Sequence, residues 1–473
     1  MQRIKMNDKP ELKFLFVCFI PLLISACSGD SAGNSFTKVS ADIASNATSA
    51  ATQTVVSAQV SGTEVTYSNS RGVAEPRTRT LLNPVPAYTG KLTDTGVSAA
   101  HCYGAGSNSF ISCGSPAAIA LNANQDGMVG RDVSSPAYAD GVLGFSYSLV
   151  PNQAGGTYDK TECLKDNVTG LTWEGKLETG LRTNTNTYTN FDSTTKLQKY
   201  QIVSSNASST IYTYVAPTQA EIDAPTNAAG YKTAINATSL CGFTDWRLPT
   251  ADELHSLVNV GVAPLPAIDN DWFPNTLKVE YWSSSAAFTQ ASNAWKVTFW
   301  DGGVFYNKYN YDEPFYGDRH IRYPVRLVRG ASAAPATRFT YINAGTEVAD
   351  AQTNLIWRRC VEGMSWNGAT CIGADSRFTR EQALAQAQSQ TGWRLPNIKE
   401  LTSIVDRSTS SPAFNASIFP VTPMFGLWTS TPFIGVDTSI EGGWYVDAVT
   451  GTSAAMFFPT SAFSIRLVKD VLQ

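Results

Sequence analysis

Charge is scarce in this chain of 473 residues: Asp, Glu, Lys and Arg together make up 16%, and the formal net charge is -4. That balance excludes a basic nucleic-acid binder, and no nucleic-acid partner is expected. Histidine is scarcer still, with only His101, His255 and His320. No Cys-x-x-Cys pair and no histidine cluster is present, so a zinc site has no support. Gly-x-Ser-x-Gly, His-Glu-x-x-His and phosphate-loop patterns are also missing, and no enzyme class announces itself. Carboxylate pairs such as Asp312-Glu313 occur, as they do on any protein surface. No stretch beyond the amino terminus approaches the roughly 18 apolar residues that span a bilayer. Aromatic residues, by contrast, are plentiful, with 11 Trp, 19 Tyr and 22 Phe, and hydrophobic residues reach 43%. A mostly disordered, collagen-like or coiled-coil chain is therefore excluded.

The amino terminus carries an export pattern. Cations at Arg3, Lys5, Lys9 and Lys13 precede an apolar run from Phe14 to Leu23, and the run ends in Ile24-Ser25-Ala26-Cys27. This reads as a signal peptide over residues 1–26. Its end resembles the lipobox of bacterial lipoproteins, which implies that Cys27 is acylated, a palmitate-type anchor, and becomes the first mature residue. Ser28 after it implies the outer membrane, because the family reserves Asp there for the inner one. The membrane, reached through lipid, is thus the first expected partner. Residues 27–75 are rich in Ser, Thr, Ala, Gly and Asn, bury too little to fold alone, and read as a tether. Residues 76–139 form a lead-in containing Cys102 and Cys113.

The remainder of the chain holds a repeat. Asp166 to Trp173 matches Asp350 to Trp357, and Trp246-Arg247-Leu248-Pro249 matches Trp393-Arg394-Leu395-Pro396. Glu253-Leu254 matches Glu400-Leu401, Trp282-Ser283-Ser284 matches Trp428-Thr429-Ser430, Trp295-Lys296-Val297 matches Trp444-Tyr445-Val446, and Val325 to Val328 matches Ile465 to Val468. Matching blocks in one order predict two homologous domains, 140–331 and 332–473, joined near Gly330 to Pro335. The middle of each copy is nearly rigid in length, since 36 residues separate Trp246 from Trp282 and 35 separate Trp393 from Trp428. The first copy carries an insertion over 174–240 and a longer loop over 306–320, as surface loops tolerate.

Local chemistry assigns elements to the blocks. Thr250 with Glu253, and Asn397 with Glu400, are capping boxes, so Trp-Arg-Leu-Pro leads into a short helix. Leu254, Leu257 and Val258 share its apolar face, as do Leu401, Ile404 and Val405; His255 points away and is expected in solvent. A preceding helix is predicted over Arg380 to Ser389, capped by Thr379. Trp295, Val297 and Phe299 alternate, as do Trp444, Val446 and Ala448, and both runs end at turns, Asp301-Gly302-Gly303 and Thr450-Gly451. Both read as hairpins whose return strands are Val325 to Arg329 and Ile465 to Lys469. Each domain is then two short helices with antiparallel strands, an α+β arrangement.

These blocks, Thr-Gly-Leu-Thr-Trp, Asp-Trp-Arg-Leu-Pro and Trp-Ser-Ser above all, resemble the bacterial DUF1566 family, named also for the C-terminal domain of the Legionella collagen-like adhesin. The resemblance covers about residues 140–473. It implies a fold akin to C-type lectins and the formylglycine-generating enzymes, and surface-exposed binding of a glycan or protein in adhesion or envelope assembly. It does not imply catalysis: formylglycine-generating relatives need a cysteine pair late in the domain, and neither copy has one. The alternatives are a structural subunit of a surface complex that binds no glycan and, behind it, an enzyme of the formylglycine-generating group.

Eight cysteines less Cys18 and Cys27 leave six, an even number in an exported chain. Six allow 15 pairings; the expected set is Cys102–Cys113, Cys163–Cys241 and Cys360–Cys371. The ligand-binding candidates lie in the aromatic, Gly- and Pro-broken loop of the first copy: Tyr306, Tyr309, Tyr311, Asp312, Phe315, Tyr316, Asp318 and Arg319. Flat rings stack on sugars while nearby acids and Arg bond hydroxyls. Glu313-Pro314 lacks the Asn that calcium lectins place next. Asn122-Ala-Asn124-Gln-Asp126-Gly127 opens like a calcium loop, but Val133 stands at the closing position. No metal and no cofactor is assigned.

Overall fold

The protein is described by a computed structural model over residues 92–107, 109–130, 144–206, 209–262, 266–288, 290–306, 318–330, 337–434, 442–456 and 460–471. The signal segment, Cys27, the tether, Val133 and the junction 331–336 lie outside these residues.

Each repeat builds the same two sheets. In the first, β1 (Tyr147–Leu149), β2 (Cys163–Asp166) and β3 (Thr172–Glu174) form an antiparallel meander. The inserted hairpin β4 (Lys199–Asn206) and β5 (Ser209–Val215) comes next. Then comes a second meander of β6 (Glu280–Ala286), β7 (Ala294–Thr298) and β8 (Val304–Phe305), and finally β9 (Val328–Arg329), which returns to pair with β3. The second repeat lays down β10 (Phe339–Ile342), β11 (Glu347–Asp350) and β12 (Leu355–Arg358), a small hairpin β13 (Ser365–Trp366) and β14 (Cys371–Ile372), a meander β15 (Gly426–Pro432), β16 (Gly443–Asp447) and β17 (Ser453–Met456), and β18 (Val468–Asp470), which pairs with β12. The expected return strands are thereby corrected. β9 and β18 leave the hairpins and close the other sheet, Val328 opposite Trp173 and Val468 opposite Trp357. The returns of β7 and β16 are instead the shorter β8 and β17.

Helices are short. α1 (Pro116–Leu121) belongs to the lead-in, α2 (Gln219–Asp223), α3 (Ala228–Ala237) and α4 (Ala251–Ser256) to the first repeat, and α5 (Arg380–Gln388) and α6 (Ile398–Ser403) to the second. The capping boxes expected at Thr250 with Glu253 and at Asn397 with Glu400 are both formed, and Thr379 caps α5 with Gln382. The architecture is α+β, dominated by antiparallel sheet.

The two repeats are not beads on a string. Ser453 pairs with Val304, so the two meanders join edge to edge in one six-stranded sheet of order β15-β16-β17-β8-β7-β6. A single core cluster draws on Trp173, Leu254 and Trp295 from one repeat and Trp357, Leu401 and Trp444 from the other. The contact is reciprocal. Gly302 turns with φ +99°, and a Cβ there would lie 2.7 Å from Val258 and 3.6 Å from Trp444. Gly451 turns with φ +76°, and a Cβ there would lie 2.7 Å from Val405 and 3.6 Å from Trp295. Each repeat thus offers a glycine turn, free to adopt positive φ, to the other's tryptophan. This is the self-complementary logic of a two-fold dimer carried out within one chain. β7 is buried throughout rather than alternating, with Trp295 toward the other repeat's glycine turn and Lys296 against Tyr323 of its own repeat.

That docking corrects His255. The expectation puts its side of α4 in solvent; α6 of the other repeat packs there, and His255 is 3% exposed. Burial, with Lys399 and Arg407 nearby, pushes its pKa well below the ordinary value. The lead-in joins the same unit: Thr93 Oγ1 donates to Ser256 O at 2.6 Å, Lys399 Nζ donates to Thr93 Oγ1 at 2.8 Å, and Asn122 Nδ2 donates to Leu384 O at 2.7 Å.

All three expected disulfides are formed, Cys102–Cys113, Cys163–Cys241 and Cys360–Cys371.

Candidate functional site

The shared blocks account for themselves as scaffold. Arg247 makes a two-pronged ion pair with Glu253 at 2.7 and 2.6 Å, and Arg394 does the same with Glu400 at 2.7 and 2.8 Å. The capping glutamate therefore also locks the Trp-Arg-Leu-Pro strand to its helix, the bidentate geometry that only Arg offers. Ser283 Oγ donates to Trp295 O and Thr429 Oγ1 to Trp444 O, both at 2.7 Å, while Ser284 N and Ser430 N donate to Pro249 O and Pro396 O. The hydroxyl-rich block thus pins an irregularity in β6 and β15 to the helix entrance. Arg326 and Arg466, both fully buried, donate to the carbonyls of Glu174 and Arg358 and stack over Phe273 and Phe419. Burial holds the pKa of Arg466 down to about 9. Each of these groups serves the scaffold.

What differs between the repeats gathers in one place. The 174–240 insertion and the end of the 306–320 loop, two separate sequence features, meet at the β4–β5 hairpin. Pairing sets Tyr200 opposite Tyr214 and Ile202 opposite Tyr212. Residues two apart share a strand face, so three tyrosines converge. Tyr200 lies 5.3 Å from Tyr212 and 6.3 Å from Tyr214, ring centre to ring centre. His320 stacks on Tyr200 at 5.0 Å with the rings 18° apart. Tyr214 Oη donates to Asp318 Oδ2 at 2.5 Å. Asp318 is buried, which pushes its pKa up to about 6, and the Tyr214 hydrogen bond opposes that rise. Burial lowers His320. Beyond this anchored base the hairpin stands in solvent with Ile202, Val203, Ile211 and Tyr212 exposed, Val203 at 64%.

The eight candidate residues therefore divide. Tyr309, Tyr311, Asp312, Phe315 and Tyr316 lie outside the described residues. Tyr306 is buried with its ring edge-on to Trp295 at 4.9 Å. Arg319 is a buried strut: it donates to Asn190 O at 2.7 Å and Asn293 O at 3.3 Å and pairs with Asp192 at 2.9 Å. It ties the start of the insertion to the loop before β7. Asp318 alone of the described three reaches the aromatic surface. Tyr200, Tyr212 and Tyr214 are the residues that sequence reasoning missed; their alternation in Tyr212-Thr213-Tyr214 is a usable strand signal.

In the calcium-like segment, Asn122 is spent on Leu384 and on Asn124 N, and Asp126 is buried beside Asp94, its pKa raised well above the ordinary range by burial first. Among the described residues no group of three acidic, His or Cys side chains is placed to hold a metal ion.

Two cavities lie elsewhere among the described residues. One of about 390 Å³ lies by the Cys163–Cys241 bridge, walled by Tyr158, Leu177, Leu181 and Arg182. Nη1 of the Arg182 guanidinium donates to three carbonyls, Thr161, Glu162 and Gly175. The other, of about 260 Å³, lies in the second repeat between β12, the β13–β14 hairpin and Trp393.

Compared with known proteins, the chain matches the family model described as the Lcl C-terminal domain twice, over residues 162–329 and 346–469. No curated protein and no solved structure matches it.

Proposed function

Since the chain belongs to the Lcl C-terminal domain family through both of its repeats, we propose that it is a lipid-anchored outer-membrane protein that binds an extracellular glycan through a lectin-like double module, in adhesion or envelope assembly. The family supports a surface, adhesin-like role. The lipobox at Ile24 to Cys27 and the tether supply the anchor and the reach. The observation that carries the binding step is the β4–β5 hairpin. Its exposed aromatic and aliphatic side chains stand on a base fixed by Tyr214 to Asp318 and by His320 on Tyr200. A protein does not hold such a patch in water without cost unless something covers it. We assign no thiol chemistry to the folded unit, whose six cysteines form disulfides.

The test is a glycan array probed with the full chain and with Tyr212→Ala. Binding by the first and its loss in the second supports the reading. Equal binding by both moves the site off the hairpin. A second reading has its own support: Ile202, Val203 and Ile211 are aliphatic, and aliphatic surface suits a protein partner better than a sugar. In that case the array stays blank and the chain is a subunit of a surface complex.

A further inference from the structure

We propose that the cleft of the second repeat is a separate subsite for one neutral sugar ring of a glycan. The proposal rests on the glycan reading above and names a different place and a chemical preference for it. The walls that matter are Trp366, Trp393, Arg358, Glu362 and Glu347. Their volume, about 260 Å³, falls just under the roughly 300–1,000 Å³ of pockets for drug-sized ligands, which fits a single ring better than a long chain.

The aromatic walls are held in place. Arg359 braces the Trp366 ring at 4.0 Å and is not itself a wall of the cleft. Trp393 is held by Arg358 at 4.7 Å and Lys469 at 4.3 Å from its ring centre. Pre-fixed indole faces are what the C–H face of a sugar packs on at low ordering cost.

The polar walls set the preference. Arg358 donates to Glu362 Oε2 at 3.0 Å and to Gln390 Oε1 at 3.0 Å, and Lys469 pairs with Glu347 at 2.8 Å. Both cations over Trp393 are thus matched by carboxylates, and Arg359, behind Trp366, gives its N–H groups to the carbonyls of Ile418, Gly345 and Ser417. An ionised carboxylate accepts at about four lone-pair sites. Glu362 uses its oxygens toward Arg358 and, at 3.3 Å, Gln386. Acceptor capacity remains there for the hydroxyls of a neutral ring.

The first repeat lines the corresponding place differently. The residue matching Trp393 is Trp246, which is 1% exposed. The residues matching Arg358 and Cys360 are Glu174 and Lys176, which form a closed buried network with Tyr231. The first copy has a cavity of its own, about 390 Å³, whose Glu162 and Leu177 match Thr346 and Val361 of this cleft, but no Trp stands in its wall.

The experiment is titration of the full chain, with saturation-transfer NMR as its readout, against the methyl glycosides of glucose, galactose, mannose and N-acetylglucosamine, and against a sulfated heparin disaccharide. At least one neutral glycoside should bind, with affinity indifferent to salt, and Trp366→Ala should abolish the signal. Glu362→Gln should weaken it about tenfold, which corresponds to about 1.4 kcal/mol. If Trp366→Ala loses its melting temperature, Glu362→Gln decides alone. Binding of the sulfated disaccharide but of no neutral glycoside overturns the proposal, and so does binding that survives both substitutions. The two readings fail separately. Array binding lost with Tyr212→Ala but kept with Trp366→Ala leaves the hairpin site standing and removes this one, whereas a blank array removes both.

Discussion

The same tryptophan does different work in the two repeats. Trp246 is sealed in a cluster with Tyr231, Ile235, Leu240 and the Cys163–Cys241 bridge, and its indole N–H donates to Leu240 O at 3.1 Å. Trp393 opens the same Trp-Arg-Leu-Pro block, yet it stays half-exposed under two cations. The insertion explains the difference. In the first repeat Leu240 and the Cys163–Cys241 bridge, at the end of the insertion, pack with Trp246, whereas in the second α5 and the short Cys360–Cys371 loop leave Trp393 part-exposed. A repeated sequence block therefore guarantees a repeated backbone; burial depends on what the variable segments lay over it.

The largest expected effect probes what the repeats share. Trp295→Ala and Trp444→Ala each empty a slot against the other repeat's glycine turn. Truncating a fully buried Trp costs about 3–5 kcal/mol. Calorimetry should show one transition in the parent protein and one lowered transition in either mutant. Two separated transitions, with only one of them shifted, would mean that the repeats fold as independent domains.

The next prediction sharpens the difference itself. Trp246→Ala should cost about 3–5 kcal/mol. Trp393→Ala should cost about half of that, because much of its surface is already in water and transfer energy scales with area removed from it. The repeat pattern in the sequence treats the two as equal core residues. Denaturant midpoints of the two mutants decide, and equal losses would put Trp393 back in the core.

A smaller effect is expected at the charged seam between the repeats. Arg407 of the second repeat pairs with Asp252 of the first at 2.5 Å and lies over Trp295 at 4.4 Å. Asp252 is half-exposed, which limits the ion pair, so Arg407→Ala should cost about 1 kcal/mol. A loss nearer to that of Trp295→Ala would show that the seam depends on charge and not on packing.

Legibility in the sequence divides along the same line. The α4 and α6 helices, their caps, the turns at Gly302 and Gly451 and the two short disulfide loops are written in local chemistry, namely Thr or Asn before Glu, glycine after a strand, and cysteines 11 apart, while Cys163 and Cys241, 78 apart, are paired by their place in one repeat. Two things are not. The return strands are misassigned from sequence because Val325 to Val328 has strand composition but its partner, β3, lies about 150 residues earlier in the chain, and pattern alone does not choose between distant partners. His255 is misplaced in solvent because a helix face is polar or apolar in sequence without saying whether a second copy of the fold will cover it. The ligand loop is half-legible: Asp318 reaches the aromatic surface, Arg319 and Tyr306 turn inward, and the tyrosines that do face outward sit in the insertion.

The smallest effect concerns the base of the hairpin and its response to pH. Asp318 has its pKa raised to about 6 by burial. The groups facing it are the Tyr214 hydroxyl, the His320 ring at 3.7 Å and, through the backbone, Asn293. A carboxyl whose folded pKa lies above its unfolded value binds its proton more tightly when folded, so its contribution is whole below the ordinary carboxyl range and is lost as pH rises through about 6. His320 works in the opposite sense. Burial lowers its pKa, so it resists charging, and its contribution is present above the ordinary histidine value and is lost as pH falls through the folded one. Between pH 5 and 7 the Asp318 change dominates, and the hairpin should be held more firmly at the acidic end. Hydrogen exchange over Lys199 to Val215, corrected for intrinsic rates, should show severalfold greater protection at pH 5 than at pH 7, while the six-stranded sheet stays constant. Asp318→Asn keeps the shape and removes the titration, so in that variant the difference should vanish. A pH dependence that persists there would assign the switch to His320 and remove Asp318 from the anchoring of the hairpin.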